Sequence, residues 1–496
     1  MNRQIVKLSG VAMVLLATLI AATTYWQTWA RPALAERQDN AIQRVAQFSI
    51  ERGTIVTSGR LLAANRKKVV DNRPLFFRRY PQGALTAHVV GYSTASRART
   101  GLESSLNDFL TASNSRLSTI VDNSLDQFRG KPIRGNNVQL TIDLATQKVA
   151  LDALGTQCGA VAAFDPRTGA VRVLASAPSF NPNAVEHNYA SIGRIKADCT
   201  PAAPLVDRAT AGLYPPGSTF KVVTTAAALE SKKFTPDSLF TDPGYCIEYG
   251  KQVHNFADQN GPEVFGRIAL KDALVHSVNS VFCNIGKELG AKRILAQAKR
   301  FGFYAPPPLE TPVGERRPSG LYDKRKLYEP KRDSDVDPGR LAFGQERLLV
   351  TPLEMAMVAG AIGNGGILMQ PYVVSRIVAP GGGTVENTTP TSLGRTVSKD
   401  TATAIAQMML GVVQRGTGTA AAIPGYTVAG KTGTAETSIP GRNTTWFICF
   451  AGPNDGSPPT IAVAVVLEGQ TRTGGATAAP IARLVMQALL TSTSNP

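Results

Sequence analysis

Residues 159–176 read GAVAAFDPRTGAVRVLAS, and this stretch decides the fold class. Two apolar runs flank the turn-forming segment Asp165-Pro-Arg-Thr-Gly169, a pattern that predicts a β-hairpin. Three further apolar runs near the C-terminus predict adjacent antiparallel strands: Thr427–Lys431, Thr445–Pro453 and Thr460–Gly469. A helix predicted at 478–491 closes this region.

The chain between the hairpin and the last strands is predominantly helical in pattern. Apolar spacing predicts helices at 218–231, 268–289, 352–364 and 398–415. Helices between strands of one antiparallel sheet are typical of an α+β domain with helices flanking a central sheet. Residues 305–340 are rich in proline and charge, so we expect a long surface excursion there.

The N-terminus carries an uncharged, mostly apolar run at 11–26, which together with residues 8–10 nears the length of a transmembrane helix. Arg3 and Lys7 precede it and favour a cytoplasmic N-terminus. Aromatic residues suited to the far interface follow: Tyr25, Trp26 and Trp29. We therefore expect a single-pass anchor in the cell membrane, with most of the chain on the extracytoplasmic side. The alternative is a signal peptide cleaved after Ala35.

A chain of 496 residues is too long to fold around a single hydrophobic core. Changes in sequence pattern along the chain predict three parts. Residues 1–29 form the cytoplasmic tip and anchor, and residues 30–155 form an elongated mixed α/β platform without an obvious catalytic cluster. Within the platform we expect a helix at 30–48 and a polar helix near 103–128. Residues 156–492 form the α+β domain.

The composition indicates a folded body with a strong positive charge. The chain is 43% hydrophobic and 18% charged, and its formal net charge is +17. Such a charge attracts polyanions. The sequence has no zinc finger, RNA-recognition signature or long basic helix, so an anionic cell envelope is the expected partner rather than nucleic acid.

The five cysteines are widely spaced, without a CxxC pair, and no HExxH motif occurs. We therefore predict neither a metal site nor a cofactor. One or two disulfides are expected if the body is exported, and the odd count leaves at least one free thiol. We predict the pairing Cys246–Cys283 and a buried Cys449.

Ser218-Thr-Phe-Lys221 follows Tyr214-Pro-Pro-Gly217, so a helix is expected to begin near Ser218. The spacing places the hydroxyl and the amine on one helix face. A desolvated lysine can take the proton of a serine hydroxyl and make it nucleophilic. By itself, SxxK is more often an exposed helix face than a catalytic pair.

Two more short motifs follow in order. Ser277-Val-Asn279 lies between the SxxK motif and the last strands, unlike the SxN strings at 105–107 and 179–181. Lys431-Thr-Gly-Thr434 begins in a predicted strand, where alternation puts Lys431 and Gly433 on one side and the two threonine hydroxyls on the other. Gly433 is expected to leave room for a substrate backbone.

The ordered set SxxK, SxN and KTG resembles the signature of penicillin-interacting serine enzymes. The resemblance extends to Glu51–Ile55, Tyr80–Tyr92, Gly101–Glu103 and Gly344–Leu353, and thus to nearly the whole chain. The chain resembles class B penicillin-binding proteins, especially the short penicillin-binding protein A group of actinobacteria. The resemblance implies a peptidoglycan D,D-transpeptidase that also binds β-lactams.

The resemblance further implies a role for each motif residue. Ser218 attacks a donor stem peptide, Lys221 is the base, Ser277 relays protons and Lys431 orients this network. Asn279, Thr432, Gly433 and Thr434 bind the donor, and the backbone N–H groups of Ser218 and Thr434 form the oxyanion hole. Implied partners are donor and acceptor stem peptides and a polytopic glycosyltransferase.

Three alternatives remain at this point. A serine β-lactamase needs a glutamate that activates water, and the only ExxLN string, Glu103–Asn107, precedes Ser218 instead of following Asn279. A D,D-carboxypeptidase uses water as its acceptor. A scaffold that recruits other wall enzymes needs no intact motifs, whereas all motif residues are present here.

Overall fold

The computed structural model describes residues 2–26, 48–70, 72–95, 97–113, 133–258 and 261–492. The helix expected at 30–48 lies outside these residues except at its last position. The expected polar helix at 103–128 is described only at its start, where two short helices occur instead of one.

The N-terminal part contains the anchor candidate and a group of short elements. In chain order they are α1 (Asn2–Tyr25), β1 (Ile55–Thr57), β2 (Arg60–Val70), β3 (Arg73–Arg79), α2 (Ala87–Val90), α3 (Gly101–Ser105), α4 (Asn107–Leu110), β4 (Asn137–Leu140) and α5 (Leu144–Leu154). Helix α1 is long and apolar enough to cross a membrane, and none of its most apolar window is buried against the protein.

The central part alternates strand pairs with helices. Its elements are β5 (Gly159–Phe164), β6 (Val171–Ala177), α6 (Ala184–His187), α7 (Tyr189–Ile192), α8 (Lys221–Glu230), β7 (Leu239–Asp242), β8 (Tyr245–Glu248), β9 (Lys251–His254), β10 (Ala257–Asp258), β11 (Gly261–Pro262), β12 (Gly266–Ala269), α9 (Leu270–Val275), α10 (Asn279–Leu289) and α11 (Ala291–Arg300).

The C-terminal part ends in the long strands and the last helix. Its elements are β13 (Gly320–Asp323), β14 (Lys326–Leu327), α12 (Pro338–Ala342), β15 (Leu348–Leu349), α13 (Pro352–Gly363), β16 (Ile367–Met369), β17 (Val374–Val378), β18 (Thr384–Asn387), β19 (Ser392–Arg395), α14 (Lys399–Arg415), β20 (Tyr426–Glu436), β21 (Asn443–Pro453), β22 (Ile461–Gln470) and α15 (Gly474–Ser492).

A five-stranded antiparallel sheet forms the centre of the molecule, in the order β20-β21-β22-β5-β6. Helices α5 and α15 cover one face, and α13 packs on the other. Its strands are apolar on both faces because both are covered. The predicted hairpin, the adjacent C-terminal strands and the α+β class are confirmed.

Six described strands form a second sheet in the N-terminal part, in the order β18-β17-β4-β1-β2-β3. Strands β17 and β18 come from residues 374–387, so the chain returns to complete this sheet. The division of the chain at residue 155 stays a prediction, and the two parts share this sheet.

The expected surface excursion at 305–340 is only partly correct. Its chain carries β13, β14 and most of α12, and it buries Leu309, Leu321 and Val336. Composition excludes a long helix there, but it does not reveal short elements that each bury one or two side chains.

Two disulfides join Cys158 to Cys199 and Cys246 to Cys283. The second is the predicted pair. Cys449 is the remaining cysteine, and it is free and buried, as expected.

Candidate active site

Ser218 lies in a tight turn that leads directly into α8. Residues Gly217–Phe220 form one turn of 3-10 helix, and the α-helix begins only at Lys221. Two preceding prolines and the positive φ of Gly217, 51°, explain why the first turn differs from the α-helix expected from Ser218. A Cβ atom at Gly217 would lie 2.8 Å from the Thr434 carbonyl oxygen, so glycine lets this turn approach strand β20. Ser218 remains partly exposed.

Lys221 is fully buried one turn after Ser218. Its Nζ donates hydrogen bonds to the Asn279 Oδ1 at 2.8 Å and to the backbone oxygen of Ser277 at 2.5 Å. Burial lowers the pKa of Lys221 well below its usual value, and repulsion by Lys431 lowers it further. The arrangement therefore favours a neutral amine that can accept a proton.

Ser277 interrupts the helix that the sequence predicts over 268–289. The structure ends α9 at Val275 and begins α10 at Asn279, and Ser277 has a φ of 64°. A serine in the left-handed region carries backbone strain. The prediction of a continuous helix over 268–289 is therefore wrong at this turn. The turn instead directs the backbone oxygen and hydroxyl of Ser277 towards the two buried lysines.

Asn279 connects helix α8 to the β8–β9 hairpin. Its Oδ1 accepts from Lys221, and its Nδ2 donates to the His254 carbonyl oxygen at 3.0 Å. An amide nitrogen has two N–H groups, so one remains for a substrate carbonyl. The Cys246–Cys283 disulfide joins β8 of this hairpin to α10.

Strand β20 carries the KTG motif at the edge of the central sheet among the described strands. Lys431 is fully buried, and its Nζ donates to the Ser277 hydroxyl at 2.8 Å and to the Thr432 carbonyl oxygen at 2.9 Å. Burial lowers the pKa of Lys431 to about 7. None of the ion pairs formed by described residues involves either lysine, so no carboxylate among these residues offsets the cost of burying the two protonated amines.

The predicted alternation along β20 is confirmed by what its side chains contact. Thr432 shares a hydrogen bond with Thr417 over 2.6 Å, and the Thr434 hydroxyl accepts from the Gly474 N–H at 3.2 Å. A Cβ atom at Gly433 would lie 2.8 Å from the Pro216 carbonyl oxygen. The loop of residues 214–217 thus fills the space that was expected for a substrate backbone, and Gly433 is needed for that packing.

Four side chains outside the motifs position the loop of residues 214–217. The Tyr214 hydroxyl donates to Glu468 at 2.8 Å, and Arg208 pairs with the same carboxylate at 2.9 Å. Trp446 donates from its indole nitrogen to the Pro215 carbonyl oxygen at 2.9 Å. Of these residues, only Glu468 stands out in the sequence, as a carboxylate at the end of the apolar run 460–469.

The other motif-like strings have structural roles. Glu103 is fully buried and forms ion pairs with Arg52 at 2.8 Å and Arg78 at 2.6 Å. A carboxylate saturated by two guanidinium groups is not available to activate water. Its position in the N-terminal part agrees with the interpretation that the ExxLN string is not catalytic.

Two protein-family models match this chain. The penicillin binding protein transpeptidase domain matches residues 159–487, and the penicillin binding protein A dimerisation domain matches residues 52–138. The first covers more than half of the chain.

Curated relatives and solved structures resemble the chain over nearly its whole length. The peptidoglycan D,D-transpeptidases PbpA of Mycolicibacterium smegmatis and of Mycobacterium tuberculosis are each 35% identical over 99% of both chains. A ceftriaxone acyl-enzyme structure of penicillin-binding protein A from M. tuberculosis has a TM-score of 0.77 and 33% identity, covering 90% of this chain and 99% of that one. The D,D-transpeptidase domain of a peptidoglycan glycosyltransferase from Eggerthella lenta has a TM-score of 0.74 and 35% identity, over 90% of this chain and 99% of that one.

Proposed function

Because the chain belongs to the class B penicillin-binding proteins and is a peptidoglycan D,D-transpeptidase, we propose that Ser218 is its nucleophile and Lys221 its general base. The observation that carries this assignment is the buried amine of Lys221, whose pKa is lowered and which lies one helical turn from Ser218. A neutral amine at this position can accept the serine proton, whereas a protonated one cannot.

In the acylation step, the Ser218 Oγ forms a bond to the penultimate D-alanine carbonyl of a donor stem peptide. Its proton passes to Lys221. The carbon–nitrogen bond to the terminal D-alanine then breaks, and the leaving amine takes up a proton through the Ser277 hydroxyl. The contacts of that hydroxyl with both lysines support this relay.

In the transfer step, the amine of an acceptor stem peptide attacks the serine ester. Its excess proton returns through the same groups, the new amide bond forms the crosslink, and Ser218 is released with its proton. The same serine binds β-lactams covalently.

The remaining motif residues bind the donor and stabilise the developing charge. Asn279 offers its second amide N–H to the donor, while Thr432 and Thr434 offer hydroxyls to its carboxylate, with Gly433 between them on the same strand. The backbone N–H groups of Ser218 and Thr434 form the oxyanion hole, which the close approach of Gly217 to Thr434 supports.

The apolar α1 and the relatives indicate a membrane-anchored protein. We further propose a single-pass orientation with residues 48–492 on the extracytoplasmic side, which the two disulfides support because such bonds persist in oxidising compartments. A polytopic glycosyltransferase is the proposed partner that supplies glycan strands.

The test is a transfer assay with a donor peptide ending in D-alanyl-D-alanine and a labelled acceptor amine. We expect the label in the product with the native chain and none with Ser218→Ala. Release of D-alanine without incorporation of the amine would instead identify a D,D-carboxypeptidase.

A further inference from the structure

The β2–β3 hairpin extends from the N-terminal sheet, and the outer half of its strand β2 is exposed. Leu62 and Ala63 are fully buried at its base, but every residue of β2 from Arg66 to Val70 is exposed. Strand β3 is the edge of the described sheet. The exposed part of β2 is therefore roughly 15 Å long, whereas Phe76, which pairs with Lys67 on β3, is buried.

Three consecutive cations occupy this exposed part of β2. Arg66, Lys67 and Lys68 are exposed, and none of the ion pairs of the described residues involves them. Side chains alternate along a strand, so the three charges cover both faces of the hairpin. An unneutralised cluster of this kind attracts an anionic surface whichever face approaches it.

The tip beyond the cations is apolar. Val69 is 61% exposed and Val70 is 37% exposed, next to Pro74, which pairs with Val69 across the hairpin. A cluster of basic residues followed by an apolar tip is typical of segments that insert shallowly between lipid headgroups.

The chain from α1 reaches the folded body at the middle of this hairpin, beside Phe76, which pairs with Lys67. Phe48 is the first described residue after the segment 27–47, and its carbonyl oxygen accepts from the Phe76 N–H at 2.7 Å. The rings of Phe48 and Phe77 stack with centroids 5.3 Å apart. The membrane tether therefore enters the body on β3, so the hairpin is the part of the sheet nearest to the tether.

We propose that the β2–β3 hairpin docks on the anionic headgroups of the membrane that holds α1. The cations bind the lipid phosphates, and Val69 and Val70 enter the interface. This contact, added to the tether, limits the orientations of the body and fixes the side from which the active site receives glycan strands. The proposal rests on the proposed membrane anchoring.

The experiment uses the full chain, reconstituted in vesicles of zwitterionic lipid with or without phosphatidylglycerol. A Val69→Cys variant carries an environment-sensitive fluorophore, and selective labelling is feasible because Cys449 is buried and the other four cysteines are paired. We expect a blue shift and quenching by a lipid-borne quencher only with anionic lipid, and loss of both at high salt.

The charge-reversal variant is Arg66→Glu, Lys67→Glu, Lys68→Glu in the labelled chain. Each basic side chain near an anionic leaflet strengthens binding roughly fivefold, so we expect the equilibrium constant between docked and undocked label to fall by about 100-fold or more. The matched control is Lys324→Glu, Arg325→Glu, Lys326→Glu, which reverses three exposed cations at the β13–β14 turn. The control should dock like the parent.

A response independent of anionic lipid, or an equal loss in the control, would overturn the docking proposal. Resistance of the chain to alkaline carbonate extraction is measured in parallel. Extraction of the chain would contradict anchoring itself, whereas a retained chain with an unresponsive label contradicts only the hairpin contact.

Discussion

The Lys431 amine donates a hydrogen bond to the Ser277 hydroxyl over 2.8 Å, and the Lys221 amine lies 3.4 Å from the same oxygen on its other side. One serine, held at a positive φ, thus bridges two buried lysines. This relationship makes the protonation states of the two amines interdependent, since the charge of Lys431 lowers the pKa of Lys221.

Replacing Lys221 with arginine removes the general base, because a guanidinium stays protonated at every accessible pH. We expect the second-order rate of acylation by a chromogenic cephalosporin to fall by about 10²–10⁴-fold. Stopped-flow absorbance measures it. The control is Lys232→Arg, an exposed site at the end of α8, which should keep the native rate. A Lys221→Arg chain that acylates normally would remove Lys221 from the mechanism.

The acylation rate should have a bell-shaped dependence on pH. Burial and the charge of Lys431 both lower the pKa of Lys221, and the rate should rise as this amine loses its proton. It falls again as Lys431, with a pKa of about 7, loses the charge that orients Ser277. In Lys431→Arg the alkaline limb should disappear, because arginine stays charged. An unchanged limb in that variant would assign it to another group.

Replacing Ser277 with glycine should leave the chain more stable than replacing it with alanine, whereas both replacements should reduce activity. Both variants lose the hydroxyl that we propose as proton relay, so both should slow acylation by at least 10-fold. Glycine adopts the φ of 64° freely, whereas alanine keeps the strain, so Ser277→Gly should be more stable than Ser277→Ala by about 1 kcal/mol. Chemical denaturation measures the difference. Equal stabilities would argue against backbone strain at this turn.

Glu354 in α13 should make the unfolding free energy depend on pH. It is fully buried, neither carboxylate oxygen has a hydrogen-bond partner among the described residues, and burial raises its pKa to about 8. Between its ordinary pKa near 4.5 and 8, the folded chain holds a proton that the unfolded chain has lost, so stability falls as pH rises through this range.

Glu354→Gln removes this titration without changing the shape of the side chain. Denaturation curves from pH 5 to 8.5 should show the unfolding free energy of the variant rising relative to that of the native chain by up to about 1.4 kcal/mol per pH unit. Curves that run parallel across this range would show that Glu354 finds a partner or is ionised in the folded chain.

The central sheet and the three motifs could be predicted because their signals are local. Turn residues at 165–169, the apolar runs of β20–β22 and the order of Ser218, Ser277 and Lys431 all lie in contiguous residues. The hairpin and strands are confirmed, and the structure brings the motif side chains together through the contacts of Ser277 with both lysines.

The rest depended on contacts distant in sequence. Nothing local marks Ser277 as a helix break, since its neighbours continue the apolar spacing, and the strain is maintained by tertiary contacts with Lys221 and Lys431. Strands β17 and β18 complete a sheet that begins some three hundred residues earlier in the chain. Likewise, the hydrogen bond from Tyr214 to Glu468 joins residues 254 positions apart in the chain.

Mass spectrometry of the chain after incubation with penicillin, followed by peptide mapping, is the most direct test of whether Ser218 is the nucleophile. We expect one covalent adduct, on the peptide containing Ser218, that persists for many minutes and is absent from Ser218→Ala. An adduct on another residue, an adduct retained by Ser218→Ala, or hydrolysis of penicillin without a lasting adduct would contradict it.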